Sequence, residues 1–277
     1  MSRKLTRATI AVLSSAILLL LTLETGLRVL DPWRAGDAQE DILTMYSAFQ
    51  PDPVRGYILP PGDYHMPRWS ATVLADTTRL VPDDHANAPC KLVLLGDSLT
   101  FGMGVSDGET WANLLARELP QVDVVNTGVI RYDIKQILGT YRQFDDADAY
   151  LYLMYDNDWR DEHEWFVHIR PQRLSYIMLY LNLASDHGGP PGVLELDEFY
   201  EKLRYLLSDE RVTIVALNSP FAQQVHAHVP ELRIIPAYTQ RISTADFHPD
   251  AAGHRQIAAS MLPIVREAVR KACTAIL

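Results

Sequence analysis

At 277 residues the chain is roughly twice the length of a common single domain, so it has room for a large core and for segments outside it. The 35 acidic and 25 basic residues give a formal net charge of −10, which argues against a phosphate-backbone binder and so against nucleic acid as a partner. A hydrophobic content of 48% with 22% charged residues excludes a disordered, collagenous or multi-spanning chain, and two cysteines, Cys90 and Cys273, leave room for at most one bridge.

Residues 1–30 open with a basic head, Ser2-Arg3-Lys4-Leu5-Thr6-Arg7, followed by an uncharged and mostly apolar run from Ala8 to Leu23 and then by Glu24 to Leu30. Counted to Leu30 the run has the length of a bilayer-spanning helix, for which about 17–25 residues are needed, and Glu24 and Arg28 at i,i+4 can pair near its outer end. No small-x-small site follows the run cleanly, which favours an uncleaved signal anchor over a cleaved signal. The basic head fixes the N-terminus inside, which exports everything after residue 30: a single-pass protein of the cell membrane with an extracytoplasmic main domain.

Residues 31–89 hold eight of the 17 prolines and show no sustained helical or strand period, so an irregular, partly extended lead-in is expected. Tyr57, Tyr64 and Trp69 suggest that it packs on the main domain. From Cys90 the pattern changes. Short apolar runs at Lys91–Leu95, Val122–Asn126, Tyr150–Met154, Val212–Leu217 and Leu232–Ile235 read as buried strands. Between them lie amphipathic stretches at about 107–119, 133–144, 195–208 and 221–228, with a last one at about 250–275. Strands alternating with helices imply an α/β fold, a five-stranded parallel sheet covered by helices on both faces over residues 90–277.

In such a sheet chemistry collects beyond the carboxyl ends of the strands. Gly96-Asp97-Ser98-Leu99-Thr100 follows the first strand, Asn126-Thr127-Gly128 the second and Asp156-Asn157-Asp158 the third, while Asp246-Phe247-His248-Pro249 precedes the last helix. That set meets the needs of acyl transfer through a serine. A hydroxyl is a weak nucleophile until an imidazole takes its proton, and the imidazole needs a carboxylate to hold its tautomer. Asp246 and His248, two apart, point the same way in an extended segment, and Pro249 suits the first turn of the helix after it. The oxyanion needs donors, for which the N–H groups of Ser98 and Gly128 and the Asn157 amide are the candidates.

Gly96-Asp97-Ser98-Leu99-Thr100-Phe101-Gly102 resembles the first block of the GDSL, or SGNH, hydrolase family. Asn126-Thr127-Gly128 is similar to the second block, Asn157-Asp158 to the third, and Asp246-Phe247-His248-Pro249 with Gly253-His254 to the last. The resemblance spans about residues 90–277, and the membrane helix with its lead-in is similar to bacterial cell-envelope members. It implies a flavodoxin-like three-layer α/β/α fold and a metal-free serine esterase. Ser98 would be the nucleophile, His248 the base, and Ser98, Gly128 and Asn157 the oxyanion donors. The substrate would be a small acyl ester or an ester on an envelope glycan, and no cofactor is expected. Two positions depart from the pattern. Tyr155 stands where the third block has a glycine, and Ala245 where the last block more often has its acid, which leaves Asp246 as the acid. An acyltransferase acting on an exported polysaccharide, or an idle relative that binds glycan or protein, would carry the same blocks.

Other motifs carry less. An α/β-hydrolase elbow would need glycine where Thr100 stands, and a dinucleotide fingerprint would need it at Asp107. The charged run from Asp158 to Trp165 reads as a solvated face, because sequential residues on a helix do not converge on a metal. His226 and His228 read as surface residues and His254 as packing or second-rank support, while Tyr176–Leu181 is apolar enough to touch lipid or an acyl chain, although such a run is more often core. Cys90 precedes the first strand and Cys273 ends the last helix, whose 24 residues beyond Pro249 would run about 36 Å back to that edge. A bridge there and two separately buried thiols are both open.

Overall fold

The computed structural model describes residues 2–86, 88–159, 174–185 and 195–274. The chain begins with one long helix, α1 (Ser2–Leu30), of which Thr9–Leu30 is long and apolar enough to cross a membrane. Its aliphatic side chains from Ile10 to Leu23 point away from the protein. The Thr22 and Thr25 hydroxyls donate to the Leu18 and Leu21 carbonyls at 2.8 Å, which hides them within the helix.

The lead-in is more regular than its prolines suggest. It forms a helix, α2 (Ala35–Ala48), and two antiparallel hairpins, β1 (Gln50–Asp52) with β2 (Gly56–Ile58) and β3 (Gly62–His65) with β4 (Ser70–Val73). The residue ahead of α2 is Arg34, in the left-handed region and without a capping side chain. The cap comes from further upstream: Asp31 accepts the Ala35 and Gly36 N–H groups at 2.8 and 2.9 Å. That is why the usual helix-start signal is missing. Met45, Leu59, Trp69 and Val73 of this layer bury against Phe101, Met103 and Ile130.

The main sheet consists of β5 (Cys90–Gly96), β6 (Val122–Asn126), β7 (Ala149–Met154), β8 (Val212–Leu217) and β9 (Arg233–Ile235), all parallel, in the order β6-β5-β7-β8-β9. This is the flavodoxin-like order, and the chain changes direction across the sheet at β5. The helices are α3 (Ser98–Phe101), α4 (Trp111–Glu118), α5 (Ile134–Gln143), α6 (Tyr176–Ser185), α7 (Leu196–Leu207), α8 (Pro220–His228) and α9 (Ala251–Ala272). The expected helix at 107–119 is broken at Thr110, whose side chain caps α4 after a short 3-10 turn.

Alternation along the strands sorts two cores. Leu92, Leu94, Leu151 and Leu153 meet Trp111 and Leu115 of α4 and Met261 and Val265 of α9. Val93, Leu95, Tyr150 and Tyr152 meet Ile134 of α5, Leu203 of α7 and Val225 of α8. Burial on both faces explains why these strands read as continuous apolar runs. Cys90 and Cys273 are joined in a disulfide with Cα atoms 6.0 Å apart, at the sheet edge opposite Ser98.

Two expectations are corrected. The run Tyr176–Leu181 joins none of the three cores and leaves Met178 and Leu181 exposed. Asp158, expected on a solvated face, is fully buried, and its Oδ2 accepts the Tyr152 hydroxyl at 2.6 Å and the Tyr155 N–H at 2.9 Å. Burial first, then the charge of Asp97, push its carboxyl well above the usual range. Residues 160–165 of that run lie outside the described residues.

Candidate active site

β5 delivers the serine. The strand ends at Gly96, Asp97 accepts the Leu99 N–H at 2.9 Å as the cap of α3, and Ser98 is the first residue of that helix. The first N–H groups of a helix have no carbonyl within it, which leaves the Ser98 N–H without an intrahelical partner. One turn later Gly102 ends α3 at φ +86, a conformation few other residues adopt. A β-carbon there would also lie 2.9 Å from the Arg79 guanidinium.

The loop before α9 supplies the imidazole. His248 Nε2 lies 2.9 Å from Ser98 Oγ, and His248 Nδ1 lies 2.6 Å from Asp246 Oδ1, which also accepts the His248 backbone N–H at 3.0 Å. All three side chains are buried. Burial alone would raise the Asp246 carboxyl, but the hydrogen bond and charge of His248 outweigh it and hold the group below its ordinary value. Ala245 lines the pocket wall, and its N–H donates to the Trp33 carbonyl and the Ser243 hydroxyl, each at 3.2 Å. Pro249 stands ahead of the helix rather than in its first turn. Asp250 is the cap, accepting the Ala252 and Gly253 N–H groups at 2.9 Å.

Asn157 faces the same cavity as Ser98 and His248, and among the described residues its side chain makes no hydrogen bond, its Oδ1 being buried without a partner. Gly128 behaves differently. Its N–H, expected at the oxyanion, donates to Asn126 Oδ1 at 3.1 Å, and the residue does not line the cavity. Absence of a side chain is still needed, because a β-carbon would sit 2.3 Å from the Phe101 nitrogen. Asn126 also donates from Nδ2 to the Thr100 carbonyl at 2.9 Å, so it ties the second loop to α3.

The cavity holds about 380 Å³. One wall is aromatic: Phe247 stacks on His248 at 4.4 Å between ring centres and on Tyr155 at 5.9 Å, so the Tyr155 ring fills this side of the cavity. The opposite wall comes from the lead-in, through Ala38, Ile42 and Tyr46 at i, i+4 and i+8 on one face of α2. Arg131, at φ +63, stands at the rim, donates from Nε to the Tyr46 hydroxyl and lies over its ring.

Sequence reasoning missed a second contribution of the lead-in. Arg79 is fully buried and donates to the carbonyls of Phe101, Gly102 and Val105 at 2.6 to 2.7 Å and to Asp107 at 2.9 Å, closing the loop that follows Ser98. Burial lowers its pKa to about 10, which leaves it charged at neutral pH. No local pattern marks it, since its near neighbours Thr77, Thr78, Leu80 and Val81 follow neither a helical nor a strand period. His254 is buried and neutral: its Nδ1 accepts the Trp111 N–H at 3.2 Å, and burial lowers its pKa to about 3.

No protein-family model and no curated protein matches the sequence. Solved structures are similar to it in fold. A member of the lipolytic protein G-D-S-L family from Veillonella parvula is 14% identical, with 64% of this chain and 98% of that one covered at a TM-score of 0.42. A carbohydrate acetylesterase family member from Sinorhizobium meliloti is 14% identical, covering 65% and 99% at 0.39. The M. smegmatis aryl esterase is 13% identical, covering 65% and 99% at 0.41. At such identities the roles of Ser98 and its neighbours have to come from their own geometry.

Proposed function

We propose that the protein is a serine-dependent carboxylic ester hydrolase, held at the cell membrane by α1 with its pocket on the extracytoplasmic side. The observation that carries this is the hydrogen-bonded row Asp246–His248–Ser98, with contacts of 2.6 and 2.9 Å, at a cavity that also receives an unpartnered Asn157. His248 Nε2 takes the Ser98 proton as Oγ attacks the ester carbonyl, and Asp246 holds Nδ1–H and stabilises the imidazolium. The Ser98 N–H and the Asn157 amide receive the oxyanion, two donors where three were expected. Collapse of the tetrahedral intermediate returns the proton from Nε2 to the leaving alkoxide and leaves Ser98 acylated. Water, deprotonated by His248, then attacks the acyl carbon, releasing the acid and restoring the hydroxyl.

The aromatic wall beside Ile42 and Met103 suits a short acyl group with part of its alcohol, including an ester on an envelope glycan. The basic head, Arg3, Lys4 and Arg7, supports an inward N-terminus. The test is hydrolysis of p-nitrophenyl acetate and covalent labelling by a fluorophosphonate, each with wild type and Ser98→Ala. Turnover should fall by several orders of magnitude and the label should vanish. Labelling that survives Ser98→Ala would overturn the assignment, and recovery of the full-length chain in the soluble fraction would overturn the membrane location.

A further inference from the structure

The apolar helix α6 lies outside all three cores yet is firmly held. Its sequence carries no charge over Tyr176–Ser185, and Met178 and Leu181 are 46% and 57% exposed. Its N-terminus is capped from α1: the Glu24 carboxylate accepts the Tyr176 and Ile177 N–H groups at 3.1 Å, and Arg28, paired with Glu24 at 2.8 Å, lies 4.8 Å over the Tyr176 ring. One turn on, Tyr180 stacks on Trp33 at 4.8 Å and donates to Asp31 at 2.9 Å. Gly36 of α2 touches the Tyr176 hydroxyl so closely that a β-carbon there would overlap it.

We propose that α6 is an interfacial helix, lying in the outer membrane–water interface beside the exit of α1 and seating the pocket at the bilayer surface. The proposal rests on the membrane reading of α1 and extends it. Two facts commit it to lipid. The helix is continuous with the end of the apolar span, through Glu24 and Arg28. The residues joining the two, Trp33, Tyr176, Tyr180 and Arg28, are the aromatic and snorkelling types that settle at headgroup level. In water, exposed Met178 and Leu181 gain nothing; in the interface their apolar surface leaves water, which is favourable.

The substrate class follows from α2. One side of it meets α6, and Ala38, Ile42 and Tyr46 on another side wall the pocket. Four linking residues and the first two turns of α2 separate Leu30 from Ile42, a span of at most about 29 Å. The pocket mouth is therefore within reach of the outer leaflet, and the esters it meets first are those the bilayer holds: acyl esters of lipids or of lipid-linked glycans.

The native cysteines are bridged, so a thiol introduced into the full-length chain is the one a nitroxide reaches. Spin labels at Leu181→Cys, at Leu18→Cys in the span, and at Tyr205→Cys on α7, whose side chain is 50% exposed, are compared in phosphatidylcholine vesicles. The ratio of oxygen to nickel-chelate accessibility should be several-fold higher at 181 than at 205, and highest at 18. A label at 181 matching 205 while 18 reads lipid overturns the proposal and leaves an anchored esterase standing. Aqueous values at both 18 and 181 overturn it together with the anchor. Spin–spin broadening at 181 that disappears on dilution with unlabelled chain overturns it in favour of a second copy on this face. In the same vesicles Met178→Glu/Leu181→Glu should leave p-nitrophenyl acetate turnover unchanged and lower that of vesicle-embedded p-nitrophenyl palmitate about tenfold. Equal rates on the palmitate ester would overturn the substrate class.

Discussion

Breaking the Cys90–Cys273 bridge should cost the fold far more than it costs the chemistry. The two residues are 183 apart in sequence, and both are buried, Cys90 at the first position of β5 and Cys273 directly after α9. For a loop of that length the closure entropy removed from the unfolded chain amounts to about 5 kcal/mol at 25 °C. A domain of this size moves by about 2–4 °C per kcal/mol, so the double variant Cys90→Ala/Cys273→Ala should melt about 10–20 °C below wild type. Ser98 is at the far end of β5, which at about 3.3 Å per residue puts the reacting atoms roughly 20–25 Å from the bridge. Turnover of p-nitrophenyl acetate at 20 °C should therefore stay within about twofold. The assays are urea titration followed by tryptophan fluorescence, Trp111 being buried, and thiol titration of protein unfolded without reductant. Two thiols per chain in that titration, or a change in unfolding free energy under about 1 kcal/mol, would refute the reasoning.

Asn157→Ala should lower kcat by about 10²–10³ with little change in KM, because the amide meets charge only in the transition state; a raised KM with unchanged kcat contradicts this. Asp246→Asn should slow acylation by about 10⁴ and keep the fold, whereas Asp250→Ala should keep the rate and lose about 1 kcal/mol of stability, because Asp250 caps α9. The reverse ranking in kinetics and melting would identify Asp250 as the orienting acid. Asp41, buried beside Trp69, has its pKa raised by burial to about 6, so the folded state holds that proton more tightly than the unfolded chain. Its contribution is complete below about pH 4 and is lost as pH rises through 6. Asp41→Asn should then gain about 3 kcal/mol at pH 8 and close to nothing at pH 4, and urea midpoints with a pH-independent difference would contradict the assignment.

What was legible in the sequence was what depends on near neighbours in the chain. β5 and β7 are apolar on both faces, so each reads as a continuous run, and the positions proposed as nucleophile and oxyanion donor, Ser98 and Asn157, come within three residues of their ends. Asp246 and His248 are two apart and hydrogen-bonded through one carboxylate oxygen, which an extended spacing anticipates. What was not legible depends on partners far away. The cap of α2 comes from Asp31, ahead of the position where a cap is sought. Arg79 finds its carbonyls more than twenty residues on. Asp158 reads as one charge among several and is buried because Tyr152 reaches it from the strand before. The Gly128 N–H is taken by an amide two residues back, a competition that spacing does not reveal.

The division between legible and hidden parts has a functional side. The groups proposed to break the bond stand at strand ends of the sheet or just before α9, where any chain of this topology can place them. The groups that shape and close the cavity arrive with the lead-in: Ile42 and Tyr46 as a wall, Trp69 holding Asp41 and with it α2 at 2.8 Å, and Arg79 fixing the loop after Ser98. α2 is reached directly from α1, so the element proposed to select substrate is tied to the helix proposed to cross the membrane. Substitutions on the α2 face should accordingly change KM and the preference among esters while leaving the reaction of Ser98 with a small fluorophosphonate intact. Substitutions at Arg79 should lower both, because that guanidinium holds the carbonyls of Phe101 and Gly102 in the helix and loop that carry Ser98.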